Sequence, residues 1–269
     1  MIEKMYQESA KVLWNEKVGP DYFKIGLACR EHYSNAKPGQ FIMLRAGDRL
    51  FPLLRRPFSI HRLIVNANHL QGIELLYKVV GEGTKLLSRC RPDDILDILG
   101  PLGNGFSISE KYHRIYIVAG GIGVAPMVFL ASILKRTGID PDQCIVFIGG
   151  RSSDDLLCKD EFSDMGMQVR ITTDDGSAGD RCLVTHPLEM AVKQDPPDMI
   201  YACGPLQMLQ CIAGFADNYA FPCQVSIEAL MACGMGACLG CAVETRNDKT
   251  RYLHACVDGP VFDSRILKM

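Results

Sequence analysis

Cys233, Cys238 and Cys241 form a Cys-x4-Cys-x2-Cys run, and Cys256 follows after fourteen residues. This is the plant-type ferredoxin spacing, in which four thiolates hold a 2Fe-2S cluster. Gly234, Gly236, Ala237 and Gly240 lie among them. Residues this small let a backbone fold tightly around a cluster and aim N–H groups at its sulfurs, which favours its negative charge. A structural zinc site or reduced buried thiols are the alternatives. Zinc ribbons use two short cysteine pairs, whereas one loop here supplies three of the four thiols. Of the twelve cysteines, Cys29, Cys90, Cys144, Cys158, Cys182 and Cys211 are scattered singly and read as small buried side chains, not as a disulfide framework.

A second constellation is Gly120-Gly121-Ile122-Gly123-Val124-Ala125-Pro126, directly after the apolar run 115–119. Glycines at a strand–helix turn let a pyrophosphate approach the backbone and the amino end of the helix. The same glycines could serve only to pack helix on strand, and Ala125-Pro126 stand where the usual third glycine would be. A third is Arg55-Arg56-Pro57-Phe58-Ser59 together with Gly81-Glu82-Gly83-Thr84. An arginine can pair bidentately with phosphate, and a Gly-Thr turn opening a helix offers N–H groups to the same anion. An Arg-Arg pair alone is usually a solvated strand end; both elements in one small domain point to a phosphate-bearing cofactor. Asp174 and Asp175 follow the run 169–173, where carboxylates accept ribose hydroxyl protons and repel a 2′-phosphate, which favours NAD over NADP. Arg151-Ser152, after Gly149-Gly150, opposes that reading, because the pair could hold the same phosphate.

These residues need elements to place them. Strand-like runs at 10–18, 22–29, 40–46, 58–65, 73–80 and 95–99, separated by Gly, Pro, Asn and Asp turns, predict a small antiparallel barrel with a short helix at 84–89. From 114 the texture alternates. Strands are expected at 115–119, 144–149, 169–173 and 199–203, and helices at 125–136, 154–164, 186–194 and 206–218, which implies a parallel, doubly wound sheet. Pro187 and the pair Pro196-Pro197 bracket the third of these helices. After Pro222 the chain is rich in Gly and Cys with little periodicity, so something other than a core must hold it. The expected domains are therefore 1–108, an antiparallel β-barrel; 109–221, an α/β doubly wound nucleotide domain; and 222–269, a small cluster module.

Composition narrows the function. With 48% hydrophobic and 22% charged residues in 269, the chain is an ordinary folded protein rather than a disordered one. A formal net charge of −2 with no basic excess argues against nucleic acid, leaving protein and small-molecule partners. The stretch 1–9 mixes Glu3, Lys4 and Glu8 and lacks the apolar middle of a secretory signal, so the expected location is the cytoplasm. Residues 115–134 are twenty uncharged positions between Arg114 and Lys135, long enough to span a bilayer, but the glycines and Pro126 divide them into strand, turn and helix. No membrane span is expected.

In order along the chain, Arg56-Pro57-Phe58-Ser59, Gly83-Thr84, the 120–126 turn, Asp174-Asp175-Gly176-Ser177, Cys203-Gly204-Pro205 and Met231-Ala232-Cys233-Gly234 through Cys241 resemble the ferredoxin-reductase-like flavoproteins. Within these, they are most similar to the electron-transfer subunits of type B dihydroorotate dehydrogenases. The resemblance implies FAD in the barrel, contacted by Arg56, Pro57, Phe58 and Ser59, with Ser59 near the reactive flavin edge. Tyr77, Lys78 and Val79 would line the flavin, and Gly83 with Thr84 would hold its pyrophosphate. Gly120, Gly121, Gly123, Asp174 and the Cys203-Gly204-Pro205 turn would form the NAD pocket. It further implies an FMN-bearing dihydroorotate dehydrogenase catalytic subunit as partner, two of each chain, with electrons passing from that FMN through the cluster and FAD to NAD in pyrimidine biosynthesis. No general acid or base is required in this chain.

Two positions depart from the pattern: Phe58 stands where the wider family has Tyr, and Leu230 where an arginine is expected. The small subunit of an NADH/ferredoxin transhydrogenase or sulfide dehydrogenase is the alternative within the fold, although aspartate commonly replaces one cluster cysteine there. A zinc-bearing interaction module is the alternative outside enzymes. Leu230, Met231, Met235 and Leu239 among the cysteines suit a partner-docking face, or else pack on the chain's own barrel.

Overall fold

The computed structural model describes residues 5–47, 52–246 and 252–269. Seven antiparallel strands form the first layer: β1 (Tyr6–Lys17), β2 (Tyr22–Ala28), β3 (Phe41–Arg45), β4 (Arg56–Ser59), β5 (Arg62–Asn66), β6 (His69–Lys78) and β7 (Ile95–Leu102), with the short helix α1 (Glu82–Leu87) after β6. Their order is β4-β3-β7-β1-β2-β6-β5. Alternate residues face inward, so Ala10, Val12, Ile25, Leu27, Ile42, Leu44, Ile73, Leu75, Leu96 and Ile98 are buried together. Each buried aliphatic side chain of this size contributes about 1.5–3 kcal/mol. Gly26 is needed where β1 crosses β2: a Cβ there would lie 2.5 Å from the ring of Trp14, its register partner.

The expected single strand over 58–65 is two strands, and the break has a physical role. β4 pairs with β3 at one end of the sheet and β5 with β6 at the other. Between them the N–H of Ile60 donates to Gln40 O at 3.0 Å and that of His61 to Glu74 O at 2.9 Å. The chain turns a corner there from one sheet edge to the other, which curls the sheet into the expected barrel.

The second layer is a seven-stranded sheet of β8 (Ile115–Gly120), β9 (Cys144–Gly150), β10 (Gln168–Thr173), β11 (Asp180–Arg181), β12 (Met199–Cys203), β13 (Cys223–Ser226) and β16 (Val261–Asp263). Its order is β11-β10-β9-β8-β12-β13-β16, parallel except for the last pair. Strand β8 is buried along its whole length, as a central parallel strand covered on both faces must be. Helices α2 (Val124–Arg136) and α3 (Lys159–Asp164) supply side chains to the core on one face, and α4 (Thr185–Gln194) and α5 (Leu206–Tyr219) to that on the other. The expected helix over 154–164 is shorter. A 3-10 turn at Ser153–Asp155 precedes it, and Cys158 adopts a left-handed conformation (φ 62°), so helix begins only at Lys159.

The expected boundary at 221/222 falls just before β13, which hydrogen-bonds to β12, and β16 pairs in turn with β13. The cysteine-rich segment is thus anchored at both ends in the nucleotide sheet. Between those anchors lie the hairpin β14 (Ala242–Glu244) and β15 (Tyr252–His254) and the four cysteines. This segment packs against the barrel: Phe41, Met43, Leu99 and Leu102 share one apolar cluster with Cys241, Ala255 and Cys256. Among the described residues no helix is long and apolar enough to cross a membrane.

Polar contacts tie barrel to nucleotide layer. His61 reaches the carbonyl of Ala125 on α2, and Lys24 Nζ lies 2.5 Å from Glu161 on α3, which Arg62 also contacts. His61, Cys158 and Glu161 fall within 4.8 Å of one another.

Candidate functional site

Two cavities open between the layers. The first, about 500 Å³, is bordered on the barrel side by Arg56, Pro57, Phe58 and Ser59 of β4 and by Tyr77 and Lys78 of β6. Gly83 and Thr84 of α1 close its end. Thr84 shapes that end: its Oγ1 accepts from the N–H of Val80 (2.9 Å) and of Gly81 (3.1 Å) and donates to Gly81 O (3.0 Å). The turn from Val80 to Thr84 is therefore pinned on one hydroxyl. Phe58 meets Tyr77 edge to face at 5.9 Å, a packing contact that needs no hydroxyl at position 58. The Tyr77 hydroxyl donates to Asn15, and burial raises its pKa. Val79 alone of the expected barrel residues does not border the cavity. Its side chain packs into the barrel core and its N–H bonds Asp21 O at 2.8 Å.

The second cavity, about 620 Å³, is lined by Gly120, Gly121, Asp174, Gly204 and Pro205. Gly123 and Cys203, also expected there, border the first cavity instead, where the two spaces adjoin. The glycines divide by role. A Cβ on Gly123 would fall 2.3 Å from Cys203 O, and one on Gly120 2.7 Å from Pro205, so both are required for the close approach of the two turns. Gly121 has φ 52° and open space beyond its Cβ position. Asp174 faces the cavity, whereas Asp175 turns back to accept from Ser177 N (2.9 Å) and Oγ (2.6 Å). Arg151 donates its Nε to Asp155 at 3.1 Å, and its guanidinium, which borders the same cavity, also interacts with the Asp174 charge.

Lys78, Ile122 and Glu228 border both cavities. Glu228 carried no motif signal; it is placed here because β13 ends beside Cys203, whose register partner is Ser226. Burial, with Glu228 adding to it, pushes the Cys203 thiol up to about 12 and keeps it neutral.

The cysteine loop is preorganised for anionic sulfur. Gly234 and Gly236 have φ of 73° and 79°, which turn successive N–H groups inward. Met235 N and Cys238 N donate to Cys233 Sγ at 3.4 Å each, and Gly236 N to Cys256 Sγ at 3.2 Å. Cys241 Sγ and Cys256 Sγ are 3.2 Å apart. Burial would raise the Cys233 thiol, but the two N–H donors outweigh it and bring it down to about 7. Burial and the neighbouring Cys241 push Cys256 up to about 12. Four thiols from one loop and the turn after β15, with N–H groups already on two of them, fit the donor set of a 2Fe-2S cluster.

The cysteine loop and the first cavity share a wall. Phe41 borders the cavity and also belongs to the apolar cluster containing Cys241 and Cys256; Ala229 and Met231 do the same from the other side. Gly234 sits where a Cβ would meet Met43 at 2.3 Å, so the loop lies directly on the barrel. Its outer face is different. Leu230 is 91% exposed, Leu239 58% and Met235 39%.

Comparison with known proteins adds three findings. Residues 228–268 match the family described as the iron-sulfur cluster binding domain of dihydroorotate dehydrogenase B, and residues 117–214 match the oxidoreductase NAD-binding domain. The dihydroorotate dehydrogenase B (NAD(+)) electron transfer subunit of Desulforamulus reducens is 37% identical over 95% of both chains, and that of Caldanaerobacter subterraneus 37% over 96% of both. Among solved structures, a chain of an NADH-dependent reduced ferredoxin-NADP oxidoreductase, studied for flavin-based electron bifurcation, superposes with a TM-score of 0.83 at 28% identity. That superposition covers 96% of this chain and 89% of the other.

Proposed function

The chain belongs to the dihydroorotate dehydrogenase B electron transfer subunits, and from its geometry we propose that it passes electrons between NAD and a partner catalytic flavoprotein through a barrel-bound FAD and a 2Fe-2S cluster. The observation that carries this is the shared wall: Phe41 and Met231 border the cavity of the barrel and pack with the cysteine core. Arg56 with Gly83 and Thr84 at the start of α1 would hold the FAD pyrophosphate, and Ser59, Tyr77 and Lys78 would border its ring. Cys233, Cys238, Cys241 and Cys256 would ligate the cluster. Gly121, Asp174 and the 203–205 turn would seat NAD, with the Asp174 carboxylate disfavouring a 2′-phosphate. A bound flavin supplies the one chemistry these sites require, accepting hydride as an electron pair and exchanging electrons singly. The chain's residues orient and enclose, and the proposed chemistry asks no general acid or base of them.

Pairing with a catalytic dihydroorotate dehydrogenase subunit follows from the family, and a cytoplasmic complex in pyrimidine biosynthesis, two of each chain, is the reading adopted. The bifurcating oxidoreductase chain shares the fold at lower identity, and nothing in the site favours that activity over the first. The test is reconstitution. The isolated chain, loaded with FAD and cluster, is expected to reduce artificial acceptors with NADH and to show no dihydroorotate oxidation. Adding the catalytic subunit should establish dihydroorotate–NAD turnover. Turnover by the single chain, or none by the reconstituted pair, would overturn the reading.

A further inference from the structure

Four polar residues at the junction of the layers form one unit. Tyr22, on β2 of the barrel, donates its hydroxyl to Asp155 Oδ1, on the turn between β9 and α3. Lys78 Nζ donates to the Tyr22 oxygen at 2.8 Å and to Asp155 Oδ1 at 3.0 Å, and its ammonium sits 4.6 Å from the Tyr22 ring centroid. Arg151 donates to the other carboxylate oxygen through Nε (3.1 Å) and backbone N–H (3.2 Å). Tyr22 is 2% and Asp155 6% exposed. All four border the second cavity, and Lys78 borders the first as well.

A buried tyrosine could have been held by packing alone, since its ring lies in the core beneath α2. The hydroxyl does something packing does not. It completes a three-centre contact in which two barrel residues grip one carboxylate of the nucleotide layer, and such charge-assisted bonds fix distance and direction. Burial would raise the pKa of Asp155, but the bonds from Tyr22, Arg151 and Lys78 hold it well below the usual carboxylate range, so the grip is present at every working pH. Other ties, His61 to Ala125 and Lys24 to Glu161, keep the layers attached. They lie on β2, the barrel corner, α2 and α3, and none of their four residues borders the second cavity.

We infer that Tyr22 is a positioning residue for NAD-linked hydride transfer: its hydroxyl, bridging Lys78 and Asp155, sets the approach of the second cavity to the first and hence of nicotinamide to flavin. The inference rests on the reading of the second cavity as the NAD site. Tyr22→Phe keeps the ring and removes only the bridge, while Lys78 and Asp155 retain each other.

The experiment uses the FAD- and cluster-loaded complex. Flavin reduction by NADH, followed by stopped flow, is expected to slow about tenfold in Tyr22→Phe, the factor corresponding to one hydrogen bond of ordinary strength. NADH affinity, FAD content and melting temperature should stay near wild type. The long-wavelength absorbance of stacked nicotinamide and flavin should weaken, and flavin reduction by dithionite should be unchanged. A merely structural role would lower FAD content or slow both reductants equally. If Tyr22→Phe fails to load FAD, Asp155→Asn, which preserves shape, is expected to show the same selective slowing. Wild-type NADH kinetics in a loaded variant overturn the inference, as does equal slowing with both reductants. Cys211→Trp, which adds bulk to the lining of the second cavity, separates the two readings. It should weaken NADH binding; wild-type affinity there removes the cavity assignment and the inference with it, whereas weakened binding alongside an unaffected Tyr22→Phe removes the inference alone.

Discussion

The Nδ1–H of His61 donates to the carbonyl of Ala125 at 2.7 Å, so the corner that closes the barrel is pinned to the first turn of the helix behind the glycine turn. A carbonyl can only accept, which leaves Nε2 as the unprotonated nitrogen of a neutral ring. That atom lies 3.6 Å from Glu74 and 3.9 Å from Glu161, with Lys24 and Arg62 beyond them, and has no hydrogen-bond partner.

This arrangement gives the protein an acid limit. Burial, with Lys24 and Arg62 assisting, lowers His61 from 6.5 to about 4; the Ala125 bond and Glu161 oppose this without overcoming it. Between those values the unfolded chain binds a proton that the folded chain does not, so stability falls as pH drops from 6.5 towards 4. The loss over the whole window is a few kcal/mol at most. Melting temperature should decline across it, and His61→Gln should flatten the decline. Parallel slopes for both proteins would count against His61 as the source.

Replacing Cys233, Cys238, Cys241 or Cys256 with Ser should remove visible cluster absorbance and bound iron while leaving FAD content intact, because the barrel cavity takes no wall from the sulfurs themselves. A quadruple variant retaining full iron and sulfide would refute the ligand set.

Nucleotide preference should follow Asp174. Its carboxylate faces the cavity, and Arg151, which shares that lining, is held by Asp155 through Nε. NADH should therefore outperform NADPH, and Asp174→Ala should raise kcat/KM for NADPH by about tenfold, the scale of removing one nearby like charge. Equal or better native turnover with NADPH would contradict the assignment.

Leu230, Met235 and Leu239 project from the cysteine loop with little cover, while Met231 packs inward. An exposed apolar patch beside a redox centre suits a protein interface. Leu239→Glu and Met235→Glu should abolish co-purification with the catalytic subunit and spare NADH-dependent reduction of artificial acceptors. Normal assembly of both variants would place the interface elsewhere.

Much of this was legible in the residues. The cysteine spacing is local, and β8, β9 and β12 are apolar runs of the length parallel strands need, so both signals survive without tertiary knowledge. What escaped depends on partners distant in sequence. The corner at Ile60–His61 looks like continuous strand because its break is set by which sheet edge each half meets. Strands β13 and β16 are four and three residues long, too short for periodicity, and exist because β12 offers β13 an edge and β13 offers one to β16. The helix after Asp155 starts late, behind a 3-10 turn and a left-handed Cys158, and that turn presents Asp155 to Tyr22, a residue 133 positions away. Glu228 and the Tyr22–Lys78–Asp155 unit carry no motif, and only the meeting of the layers gives them a place.

The anchoring of the cysteine segment by β13 on one side and β16 on the other bears on how the holoprotein matures. Both strands draw their hydrogen bonds from the nucleotide sheet and their apolar neighbours from its core, so the loop between them is held at its ends without iron. Loss of the cluster is then expected to leave both ends of the loop in place, so that iron and sulfide could be delivered to a chain whose nucleotide sheet has already formed.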